Sequence, residues 1–128
     1  MKPLASILVA LVVGAALGAG AVEALRADTK PPAFVIAEID VANADAFTKE
    51  FVPIAGKDIE SAGGKFLTRG GKTATFVGAP PRSRVSVFQF ENLEAAQAWW
   101  DSPGRKEAYE IGRKYGDFRV FAVEGLAQ

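Results

Sequence analysis

The sequence has 128 residues, with 15 basic and 15 acidic side chains and neither cysteine nor histidine. That length suits one domain, and the balanced charge gives no footprint for nucleic acid. The missing residue types exclude Cys/His zinc sites, cysteine nucleophiles, Ser-His-Asp triads and histidine-ligated haem, and no cofactor is implied.

Residues 1–21, "MKPLASILVALVVGAALGAGA", have a charged start, an apolar middle and an A-x-A exit at Ala19-Gly20-Ala21. This is the layout of a secretory signal, so the protein is expected to be exported, in a bacterium to the periplasm. A second exit at Ala27 suits cleavage less well, because Leu25 occupies the minus-three position. The alternative is an uncleaved anchor, since Pro3 to Val22 approaches the ~20 residues that span a bilayer. Without cysteine there is neither a lipid attachment site nor a disulfide. Once the signal is removed, the chain is close to neutral and needs no membrane. Residues 22–32, ending in "TKPP", read as a linker, and 33–128 as the domain.

The domain opens with "AFVIAEIDV" (33–41), a β-rich stretch. It sets Val35, Ala37, Ile39 and Val41 on one face and Phe34, Ile36, Glu38 and Asp40 on the other. Asn43 then caps a helix with Asp45 in its first turn. Phe47, Phe51, Ile54, Ala55, Ile59 and Ala62 recur at helical spacing as its buried stripe. Pro53 should kink or divide that helix, and Gly63-Gly64 should end it.

"GGKFLTRGGKT" (63–73) ends like a phosphate-binding loop, but the first glycine of G-x-x-x-x-G-K-[ST] falls on Phe66. No strand-to-helix context supports a nucleotide either. "KFLTR" leads through Gly70-Gly71 into "KTATFVG", and the glycines read as the turn of a hairpin between two β-rich pieces.

The second half repeats the plan. "RVSVFQFE" (84–91) is a strand, and Asn92 caps a helix with Glu94 in its first turn that carries Ala96, Trp99 and Trp100. Ser102-Pro103 restarts the helix. Ala108, Ile111, Gly112 and Tyr115 extend its apolar side, and Glu110 can pair with Lys114. "DFRVFAVEG" (117–125) is the last strand. Two split βαβ units joined by a hairpin arm predict an α+β ferredoxin-like sandwich, an antiparallel sheet with two helices on one face.

"FVIAEIDV", "AGGKFLTRGG", "NLEAAQAWWDSPG" and "FRVFAVEG" together resemble the domain of unknown function 1330 family over roughly residues 33–125. The resemblance implies a dimeric α/β barrel, in which two ferredoxin-like sheets pack face to face. It implies no particular reaction, because the wider superfamily holds cofactor-free monooxygenases, haem degraders, isomerases and non-catalytic members. Fold likeness does not transfer function.

Candidate site residues follow from residue type and position. Glu38 and Asp40 share one strand face and could serve as bases if burial raised their pKa. The plainer reading, which we prefer, is that both meet solvent or an arginine near the strand end. Arg69, beside the glycine turn, could clamp a carboxylate ligand or pair within the fold. Trp99, Trp100 and Tyr109 offer an aromatic wall between helices and sheet, although aromatic residues at helical spacing are more often core. Gln89 is a polar contact for the same cavity. The readings that compete are a homodimeric binder of a small organic molecule, a cofactor-independent monooxygenase or isomerase using Glu38 or Asp40 with Arg69, and a dimer with no ligand. A pocket holding a perturbed carboxylate beside Arg69 would favour the enzyme, and an apolar pocket without one the binder.

The signal reading has a direct test. Exported protein should begin at or shortly after Val22 by intact mass spectrometry. A full-length mass found only in membranes would establish the uncleaved anchor instead.

Overall fold

A computed structural model describes residues 30–127. The expected signal and all of the linker before Lys30 lie outside the described residues. The end of that linker belongs to the fold, because Pro32 is buried and its carbonyl accepts from the Gly125 amide at 2.7 Å.

Strand β1 (Ala33–Val41) is central in a four-stranded antiparallel sheet with β2 (Lys65–Arg69), β3 (Arg84–Phe90) and β4 (Gly116–Glu124), in the order β2-β3-β1-β4. That order, with a helical crossover after β1 and another after β3, is the expected ferredoxin-like arrangement. Period-two alternation fixes which residues meet the helices. Ala33, Val35, Ala37 and Ile39 of β1 are all buried on that face. Through the register they stand beside Phe90, Phe88, Ser86 and Arg84 of β3.

The first crossover is divided, as Pro53 requires. A short turn, α1 (Ala44–Ala46), is capped by the Asn43 side chain, which accepts from the Ala46 amide at 3.1 Å. A π-helical turn spans Phe47–Phe51, and the Val52 amide donates to the Phe47 carbonyl five residues back. Helix α2 (Val52–Ser61) follows with Pro53 in its first turn, where a missing N–H costs nothing. The extra residue of the π turn rotates the stripe read from the sequence. Phe47 and Ile59 are buried as expected, but Ile54 is 45% exposed, Ala62 is exposed, and Gly56 turns inward instead. Gly63, at φ +93°, and Gly64, donating to the Ile59 carbonyl at 2.8 Å, close the helix.

The second crossover matches its sequence closely. Asn92 caps α3 (Leu93–Asp101) by accepting from the Ala95 amide at 2.8 Å. Ser102 caps α4 (Pro103–Gly112) by accepting from the Arg105 amide. Gly112 is needed where it stands, because a Cβ would lie within 2.7 Å of the Phe51 and Phe118 rings. Glu110 pairs with Arg113 rather than Lys114, at 3.4 Å.

The arm differs from expectation. Residues 72–78 form no strand, and β2 pairs directly with β3 across an irregular, largely exposed connection. Phe76 and Val77 are more than nine-tenths exposed. β2 is an edge strand with an open outer side, yet "KTATFVG" pairs with no strand, because β propensity alone does not dock a segment on an edge. Gly70 does take φ +69°, so a turn residue was read correctly while its second strand was not.

Candidate functional site

Two aromatic clusters hold the helices to the sheet. Phe66, Phe88, Phe90 and Trp99 form one, with centroid separations of 5.3 Å for Phe88–Trp99 and 5.5 Å for Phe90–Trp99. Phe47, Phe51, Phe118 and Tyr109 form the other, with Phe51–Phe118 at 5.3 Å and Tyr109–Phe118 at 5.4 Å. Between them the facing positions are small: Ala37, Ala55, Gly56, Ser86 and Ala108. Large rings on either side of small residues leave a cavity of about 80 Å³, or about 680 Å³ of empty space with its open mouth included.

The cavity is mainly apolar, but three arginines, Arg69, Arg84 and Arg105, reach its wall. Arg105 is engaged through its ring stacking and one of its five donors. It stacks 3.7 Å from the centre of the Trp100 ring and donates its Nε to the Trp100 carbonyl. Asp58, the one carboxylate on the wall, accepts from the Trp99 indole at 3.0 Å.

Arg69 and Arg84 are different. Arg69 lies over Phe66 at 4.3 Å from the ring centre, and Arg84 faces Phe47 at 5.5 Å. Among the described residues neither guanidinium has a carboxylate partner. Arg69 reaches this face because β2 bulges between Phe66 and Thr68. Phe66 opposes Phe88 on the helix side, and regular alternation would put residue 69 on the other side. The bulge at Leu67 reverses the phase, so Thr68 opposes Val87 and Arg69 opposes Ser86. The Thr68 hydroxyl accepts from the Val87 amide at 2.9 Å, satisfying a donor where the ladder is irregular. Arg84, two residues from Ser86, is then the same-face diagonal neighbour of Arg69. Burial, and next the charge of Arg69, lower the pKa of Arg84.

Two glycines make this approach possible. A Cβ on Gly56 would collide with the Arg69 guanidinium, and a Cβ on Gly70 would lie 2.6 Å from an Arg84 nitrogen.

Of the residues selected from sequence, Arg69, Trp99, Trp100 and Tyr109 therefore meet at one cavity. Gln89 does not, because it opposes Phe34 and so lies on the outer sheet face. Glu38 and Asp40 share that outer face with Phe34 and Ile36, across the sheet from Arg69. Glu38 is buried and accepts from Arg119 at 2.7 Å, 2.8 Å and 3.1 Å, and from the Arg82 amide at 3.2 Å. The Arg119 hydrogen bonds, then that of the Arg82 amide, outweigh burial and hold the Glu38 carboxyl below its ordinary pKa. A base of raised pKa is the opposite case, and the arginine-paired reading is the one the structure shows. Asp40 is exposed and accepts from the Ser83 amide at 3.0 Å. Sequence reasoning missed Arg84, whose partner emerges only from strand register, and the small residues that hollow the site. Among the described residues no group of three His, Cys, Asp or Glu could hold a metal ion.

The profile of the domain of unknown function DUF1330 matches residues 32–126. No curated protein matches the chain. Among solved structures, the methylated RPA0582 protein is 18% identical, with a TM-score of 0.58 over 82% of this chain and 90% of its own. RPA0582 is a protein of unknown function from Rhodopseudomonas palustris. A hypothetical Arabidopsis thaliana protein is 14% identical, with a TM-score of 0.56 over 77% of this chain and 91% of its own. A conserved protein from Methanosarcina mazei is 11% identical, with a TM-score of 0.51 over 77% and 96%. At these identities the likeness is one of fold.

The Glu38–Arg119 pair gives a pH dependence of defined sign. A carboxylate whose folded pKa lies below its ordinary 4.5 contributes stability that is complete above 4.5 and lost as pH falls through the folded value. Glu38→Gln should therefore lower the thermal midpoint at pH 7, and its deficit against wild type should shrink as pH drops below 4.5. Melting curves of both proteins between neutral and strongly acid pH measure this. A deficit that stays constant with pH would show that the charge on Glu38 is immaterial.

Proposed function

The chain belongs to the DUF1330 family, and on that footing we propose that it is an exported homodimer that binds a small organic molecule between helices and sheet. The observation that carries the binding reading is the cavity walled by Trp99, Trp100 and Tyr109 and floored by small residues. Concave, mostly apolar sites with a few placed polar groups are what small-molecule recognition uses. The enclosed space of about 80 Å³ is smaller than a substituted ring, so a ligand of that kind would extend into the open mouth.

Binding fits this geometry better than base catalysis. Glu38 and Asp40 lie across the sheet from Arg69, so the proposed base and the proposed anion clamp do not converge on one space. Asp58, which does line the cavity, is held by Trp99. The export part of the proposal rests on residues 1–21 of the sequence.

The homodimer reading rests on the outer sheet face. Register places Phe34, Ile36, Val85 and Val87 there, not Phe88 or Phe90, together with Phe121 and Val123 of β4. Phe121 and Val123 are about half exposed. An antiparallel sheet can leave a polar face in water, but an apolar one of this extent favours a partner, and a second copy of the same sheet is complementary in character.

Two measurements test these statements. Light scattering at micromolar concentration should give twice the chain mass, and Ile36→Asp should give the monomer; a wild-type monomer would remove the barrel assembly. Titration with phenylacetamide, followed by tryptophan fluorescence, should show saturable quenching that Ala55→Leu abolishes by filling the cavity. Absence of any saturable signal in wild type, by fluorescence and by calorimetry, would remove the binding site.

A further inference from the structure

Building on the cavity as a ligand site, we propose that its ligand is a small monocarboxylate with an aromatic body, the anionic head seated between the guanidiniums of Arg69 and Arg84.

The β2 bulge spends a ladder irregularity to turn Arg69 inward, onto the face where Arg84 already stands. Like charges at neighbouring positions on one sheet face repel and destabilise the sheet unless something neutralises them. Acidic partners are plentiful elsewhere: Glu38 answers Arg119, Asp117 answers Arg82, and Glu110 answers Arg113. At Arg69 and Arg84 the described residues supply none. Gly56 and Gly70 give the two side chains the room to lie as they do. Phe66 and Phe47 lie against them, which orders the guanidiniums without using their N–H donors. Two ordered, unpaired guanidiniums at the wall of an apolar cavity form a receptor for a planar anion, because each offers a fork of donors matched to carboxylate oxygens.

The rest of the cavity selects the body of the ligand. Trp100, stacked by Arg105, and Tyr109 present flat apolar surface. Arg105 has already given its Nε to the Trp100 carbonyl. Its terminal nitrogens stay free among the described residues, but it is one guanidinium against two. The head group therefore belongs at the strand side, where Arg69 and Arg84 stand together, and the ring at the helix side.

Calorimetry on the full-length chain with phenylacetate, phenylacetamide and acetate tests the assignment. Phenylacetamide matches phenylacetate in shape and lacks its charge, whereas acetate keeps the charge and lacks the ring. Phenylacetate should bind about tenfold or more tighter than phenylacetamide, as a charge-assisted contact requires. Acetate should bind more weakly than phenylacetate. Arg84→Gln and Arg69→Gln should each remove most of the acid-over-amide preference by weakening phenylacetate far more than phenylacetamide, which loses only a neutral hydrogen bond. Arg84→Lys should restore the preference only in part. Without ligand, Arg84→Gln should melt no lower than wild type, because it relieves repulsion; a purely structural arginine would melt lower. Should Arg84→Gln fail to fold, Arg69→Gln, at an exposed position, carries the same comparison. Equal affinity for acid and amide in wild type, or a preference that survives in Arg69→Gln, would overturn the carboxylate assignment and leave the cavity as a site for neutral ligands. If none of the three compounds binds, the ligand-site reading falls, and the carboxylate assignment with it.

Discussion

A β-strand hands successive side chains to opposite faces of its sheet, and in this domain only one face has helices to cover it. That constraint shapes everything else in the molecule. On the covered face it demands apolar residues, which β1 supplies as Ala33, Val35, Ala37 and Ile39, all buried. On the other face it leaves Phe34, Ile36, Val85 and Val87 facing outward beside Phe121. One sheet thus produces an interior and a second apolar surface, and the two can do different work.

Among the described strands, the one breach of alternation is the bulge at Leu67. With regular pairing Arg69 would stand on the outer face and the cavity would lose one of its cations. With the bulge, two arginines share a wall on which no described carboxylate answers them. Like charges side by side on one sheet face disfavour the sheet, which is the feature on which the proposed anion site rests. Apolar packing makes the cavity as much as charge does. Ala55, Gly56 and Ala108 on the helices and Ala37 and Ser86 on the strands are too small to meet across the gap between the two aromatic clusters.

Much of the fold was legible because local signals agreed with one another. Asn43, Asn92 and Ser102 cap the helices that their positions promised, and Pro53 divides the first crossover. Ile54 was misplaced because a π turn adds one residue to the helical phase, which a fixed 3.6-residue period cannot register. The arm has β propensity but forms no strand, although the outer edge of β2 is open, because propensity reports side-chain fit and not docking. Gln89 was assigned to the wrong face, although the alternation that buries Phe88 and Phe90 would have placed it outside. Arg84 stood in plain view at the start of its strand. Its meaning depends on the register that sets it beside Arg69, and no local pattern contains that register.

The most direct test of this account is a crystal structure of the protein grown with phenylacetate. The account predicts the carboxylate within hydrogen-bonding distance of both Arg69 and Arg84, with the ring against Trp100 and Tyr109. A ligand whose carboxylate points out of the cavity, leaving Arg84 untouched, or one that lies on the outer sheet face, would contradict it.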